Sequence, residues 1–66
     1  MTEKKLLYTY EVVFSPGFQH KVFGVDRIEV HDDHVYFVDK YERTFGIVYK
    51  PMIVRIIDWY EDEVCA

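Results

Sequence analysis

With only one cysteine, Cys65, in 66 residues, the chain cannot close an internal disulfide, which excludes a disulfide-built secreted scaffold. No run approaches the ~20 apolar residues of a membrane-spanning helix. The opening residues 1–5, MTEKK, lack the hydrophobic region of a signal peptide. Together these absences predict a soluble protein of the cytoplasm, without a membrane partner. The three glycines stand apart at 17, 24 and 46, so no glycine-rich loop is available to cradle a phosphate. Basic residues are also few. Eight Lys and Arg face twelve Asp and Glu, for a formal charge of −4. The richest basic cluster is Lys4 with Lys5, too little to displace counterions from a nucleic-acid backbone. The excess of acid lies in residues 31–66, which carry eight acids and four bases.

What the chain has in plenty is apolar and aromatic mass. Half of its residues are hydrophobic and 18% are aromatic, far from a disordered composition. At this length one small domain, residues 1–66, is expected, with stability marginal unless a partner or a second copy contributes. Its rhythm is mostly two. Over residues 6–14 the even positions Leu6, Tyr8, Tyr10, Val12 and Phe14 are apolar or aromatic while Thr9 and Glu11 interrupt the odd ones, the alternation of a half-buried strand. Ser15, Pro16 and Gly17 end it with turn chemistry. A second extended stretch, residues 21–31, is broken near Gly24 and Asp26, where a bulge or sharp bend is expected.

The motif His31-Asp32-Asp33-His34 separates that stretch from the apolar run after it, and it poses the clearest chemical question. Two histidines with two aspartates, and His20 elsewhere, are ligand-competent types. Stable zinc sites draw ligands from separated elements, most often with cysteine, and no second half is present. We read residues 31–34 as a hairpin tip whose aspartates cap local amides, and expect no metal and no cofactor. No catalytic residue is assigned: Cys65 lies at the end, Ser15 sits in a proline turn, and neither has a histidine nearby in sequence. The chain is expected not to be an enzyme.

Residues 35–39, the polar loop 40–44 and residues 45–50 make a further hairpin. Pro51 marks a boundary, and the closing segment reads as strand through Trp59, with a short C-terminal helix as the alternative: Ile53, Ile56, Ile57, Tyr60 and Val64 share a helical face, but β-branching at Ile53, Val54, Ile56 and Ile57 argues for strand. Residues 61–66 are expected to leave the sheet as an acidic tail. The expectation is therefore all-β, about five antiparallel strands as a small SH3-like or Sm-like barrel or a strongly bent sheet. Two strands look apolar on both faces, Tyr36 and Val38 opposing Val35 and Phe37, and Val54 and Ile56 opposing Ile53, Ile57 and Trp59. A monomer rarely exposes such faces, so a homodimer or higher homo-oligomer, or a partner, is expected.

On Val48, Tyr49 and Lys50 within residues 31–57, the chain resembles the second half of the bacterial Sm-like RNA chaperones, where a bent strand, a turn and a strand of this kind precede a β-branched one. Pro51 stands where that family has histidine, and a strand replaces its opening helix. The resemblance implies an Sm-like architecture and, through Tyr49 and Lys50, an RNA-binding ring; we take it for architecture only. The reading we carry forward is a small acidic protein-binding module. Compact inhibitors or modulators made by phages against host proteins have such a profile. Tyr41, Trp59 and Tyr60 are the candidate anchors, and Asp58, Glu61, Asp62 and Glu63 would steer a basic partner such as a nucleic-acid-binding protein. The alternatives are an Sm-like RNA binder and a self-assembling structural subunit.

Overall fold

The computed structural model describes residues 2–65, and the side chains of residues 3–64. Six strands follow in order: β1 Thr2–Ser15, β2 Phe18–Val25, β3 Arg27–His31, β4 His34–Val38, β5 Thr44–Tyr49 and β6 Ile53–Cys65. They form two antiparallel three-stranded sheets, β2-β1-β6 and β3-β4-β5. Among the described residues there is no helix, so the β-branched reading of the last segment holds over the helical one. The all-β class is as expected, with one strand more, but the sheets do not close into a barrel: β5 and β6 each remain an outer strand.

Local chemistry explains the corners. Gly17 takes φ +80 in the β1–β2 turn, a conformation open to glycine at little cost. Gly24 takes φ +71 where β2 slips by one residue against β1, Tyr8 facing Val25 and Tyr10 facing Val22. That bulge keeps Val22 and Val25 on one face and turns the chain. Only Asp26 then separates β2 from β3, and its amide donates to the Val38 carbonyl at 2.8 Å, so the backbone passes from one sheet into the other without a loop. The β3–β4 hairpin is the expected tip, with His31 opposite His34 and Asp32 at φ 53, as a two-residue hairpin requires.

The sheets meet through one face each. Tyr10 and Val12 of β1 and Val25 of β2 bury against Val35 and Phe37 of β4, with Tyr8, Phe14, Val22, Ile28, Val48 and Val54 around them. Tyr10 and Phe37 touch edge to face, centroids 5.9 Å apart, a favoured aromatic geometry. Phe37 packs against β5 at Gly46, where its ring comes within 3.5 Å of the position a Cβ would take, an ordinary packing distance. The even-numbered positions Tyr8 to Phe14 of β1 thus line the core, as their alternation predicts, but Leu7, Thr9 and Glu11 on the odd-numbered face are buried as well and Leu6 is exposed.

The acidic tail expected at residues 61–66 is not a tail as far as Cys65. β6 continues through it, paired with the start of β1: Leu6 faces Glu61, Lys5 faces Asp62 and Lys4 faces Glu63. Ala66 lies outside the described residues. Opposite charges across a strand pair are favourable, and they hold extended a run that looks like a solvated end when read alone. The β1–β6 ribbon stretches the molecule to 43 × 22 × 12 Å.

Candidate functional site

Of the seven residues singled out in the sequence, six lie on β6, and the strand divides them. Alternation and the register with β1 put Asp58, Tyr60 and Asp62 on one side, opposite Thr9, Leu7 and Lys5, and Trp59, Glu61 and Glu63 on the other, opposite Tyr8, Leu6 and Lys4. A one-residue bulge at Ile57, where Thr9 faces Asp58 but Tyr10 faces Ile56, shifts the pattern. Trp59 therefore joins the side of Val54 and Ile56, not that of Ile53 as plain alternation predicts.

The two sides differ in how far their groups are already engaged. On the first, the Tyr60 hydroxyl lies over Gly24, 3.5 Å from where a Cβ would stand, and Leu7 beneath it is buried. Asp62 accepts from Lys40 Nζ at 2.8 Å, and the same ammonium reaches the Glu63 carbonyl at 3.3 Å. This hydrogen bond holds the Asp62 carboxyl below its usual value, helped by the Glu63 amide, and raises Lys40 above its own. Lys40 also lies 5.3 Å from the centroid of the Tyr41 ring, so one ammonium links Tyr41 to β6. Tyr41 itself is presented by a tight turn: the Asp39 carboxylate accepts from the amides of Tyr41 and Arg43 at 2.8 and 2.9 Å, an Asx arrangement that sequence reading did not isolate.

The second side is open. Here the core face of the longer sheet runs past its covering sheet, leaving Trp59 63% exposed, with Ile56 at 47% and Leu6 at 40%. Glu61 has one distant cation, Lys4 at 4.0 Å with both side chains well exposed, a contact that contributes little. A single exposed tryptophan in an apolar stripe, rimmed by carboxylates, has the make-up of an interface anchor with a polar edge.

Two residues missed in the sequence hold the strand in place. Glu11 is 7% exposed and accepts from Arg55 Nε at 2.8 Å and from a second nitrogen of the same guanidinium, a forked pair that satisfies an otherwise costly buried carboxylate. The only signal in the sequence is Glu11 inside an apolar strand. Lys5 reaches Asp26 at 3.0 Å and ties the ribbon to the corner between the sheets.

The histidine motif forms a different surface. His31 and His34 lie on the outer face of the shorter sheet with Tyr36 and Tyr49; His31 meets Tyr36 at 5.1 Å and His34 meets Tyr49 at 4.8 Å between centroids. His31 Nε2 is 3.4 Å from Glu29 Oε1, and that contact, with Arg27, lowers the Glu29 carboxyl. Among the described residues no three His, Cys, Asp or Glu side chains gather as a metal site, no cavity is enclosed, and no helix is long and apolar enough to cross a membrane. Comparison of the chain with protein-family models, with curated proteins and with solved structures finds no match.

Proposed function

We propose that this chain is a small acidic protein-binding module, an inhibitor or modulator of the kind phages direct at a host protein, and that it catalyses no reaction. The observation that carries the reading is Trp59, 63% exposed on an apolar stripe whose polar rim is acidic. Glu61 and Glu63 supply negative charge on the ring's own side of β6, and Asp58 and Tyr60, with Tyr41 linked through Lys40, lie on the other side of the same strand. Carboxylates at such spacing raise the local concentration of a cationic partner and speed encounter, while the aromatic anchor supplies residence time. A basic, nucleic-acid-binding protein is the class of partner this charge suits, with the acids standing where phosphates would.

Capture from cell extract with the whole chain as bait tests this. We expect one basic protein to be retained, to be lost on raising salt, and to be lost from two baits: Trp59→Ala, and a bait with Asp58, Glu61, Asp62 and Glu63 neutralised. A central tryptophan anchor is worth about 2 kcal/mol or more, roughly a 30-fold weakening on truncation. Capture that survives both changes contradicts the proposal.

A further inference from the structure

We propose that the first half of β6, residues 53–57, is a self-pairing edge that joins two copies of this chain into an antiparallel dimer and extends the longer sheet across a two-fold axis. In an antiparallel ladder, residues alternately turn both their amide and carbonyl toward the partner strand or away from it. The amides of Trp59 and Glu63 bond to the carboxylates of Asp58 and Asp62 at 2.8 Å, and the Glu63 carbonyl takes Lys40. Residues 59, 61 and 63 therefore face outward, and side chains cap this half of the edge. The bulge at Ile57 reverses the parity, so that in the first half Val54 and Ile56 present their amides and carbonyls to solvent.

Local sequence makes that half self-complementary. Ile53, Val54, Arg55, Ile56 and Ile57 read nearly the same in both directions about Arg55, which is what a two-fold, isologous contact needs. Antiparallel pairing centred there sets Val54 of one copy opposite Ile56 of the other and Ile53 opposite Ile57. Ile53, Ile56 and Ile57 are all exposed in the single chain. The two guanidiniums that meet at the axis are already paired with Glu11. Charge selects this register: it sends the acidic half of each copy past Met52 of the other, whereas a shift toward the C-terminus, or a parallel arrangement, sets the acids against one another.

The other outer strands are less suited to pairing. β3 carries Arg27 and Glu29, β2 is interrupted at Gly24, and β5 carries an irregularity next to Phe45 and ends at Lys50 in the left-handed region, φ 47. Charges and bulges of this kind are the common protections of a sheet edge. Within residues 53–56 the one charge, Arg55, is held by Glu11 of its own sheet, and the bulge lies just beyond them at Ile57.

Sedimentation equilibrium on the isolated chain, from low micromolar concentration upward, tests the dimer. We expect a mass twice 8.0 kDa, reduced to the single chain by Ile56→Lys and unchanged by Ile47→Lys on the β5 edge. Both positions are exposed, and unchanged far-ultraviolet circular dichroism checks that each variant keeps its fold. A wild-type chain that stays single across the range, a dimer that survives Ile56→Lys, or one abolished by Ile47→Lys overturns the proposal. The measurement needs no other protein, so its outcome and that of the capture experiment are read separately.

Discussion

Replacing Phe37 by alanine should unfold this protein or leave it at the edge of folding. The ring is 1% exposed and is the point where both sheets meet, with Tyr10 on one side and Gly46 on the other. Truncating a buried phenylalanine costs about 3–5 kcal/mol, the lost transfer energy plus the cavity left behind. At roughly 0.05–0.15 kcal/mol per residue, a chain of 66 residues has only about 3–10 kcal/mol to lose. Urea unfolding followed by circular dichroism is the assay. With a slope near 1 kcal/mol per molar for so small a domain, Phe37→Ala should move the midpoint down by about 3 M or remove the cooperative transition. Phe37→Leu, which keeps most of the volume, should cost under about 1.5 kcal/mol. Phe23→Ala, at a site 65% exposed, should change stability by about 0.5 kcal/mol or less. Equal losses at Phe37 and Phe23 would mean that the core is not where the two sheets place it.

Three further outcomes follow from contacts already described. Arg55→Ala strips the fork from Glu11 and should cost about 1–3 kcal/mol in the same assay, whereas Arg55→Ala with Glu11→Gln should recover much of it; absence of recovery would show that the carboxylate needs no partner. Gly24→Ala forces a side chain into φ +71 and against the Tyr60 hydroxyl, a loss of about 1–2 kcal/mol; a neutral effect would contradict the bulge. The Asp62–Lys40 pair sets a pH dependence. Because the Asp62 carboxyl is depressed by Lys40, its contribution is full above the ordinary carboxylate value and fades as pH falls below about 4. Lys40 is raised by the same bond, so its share is full below about pH 10.5 and fades above. Lys40→Gln should flatten both limbs of the melting-midpoint profile, and an unchanged profile would remove the pair from the account.

How much of this was legible in the sequence depends on how local the cause is. The core face of β1, the turn at residues 15–17, the bend at Gly24 and the hairpin tip at residues 31–34 were all legible, because side-chain alternation or a backbone conformation within a few residues determines each. The extent of the β1–β6 ribbon was not. Glu61, Asp62 and Glu63 look like a solvated end until Lys4 and Lys5, almost sixty positions earlier, are set opposite them, and nothing local encodes that pairing. The complementary signs at the two ends were the available signal. Trp59 was found as a candidate anchor but assigned to the wrong side of its strand, since a single bulged residue at Ile57 inverts every later side chain. Glu11 and Lys40 were missed for a related reason: a charge gains its role from a partner far away in sequence.

Trp59 is the chain's only tryptophan, so its emission reports directly on the surface to which the proposed function belongs. The decisive measurement is a fluorescence titration of the wild-type chain with a captured basic partner that carries no tryptophan or has had its own replaced. The account predicts a blue shift of Trp59 emission with protection from a soluble quencher, and half-saturation moving to higher partner concentration as salt is raised. Binding that leaves Trp59 emission and quenching unchanged would contradict the claim that this face of β6 is where the protein acts.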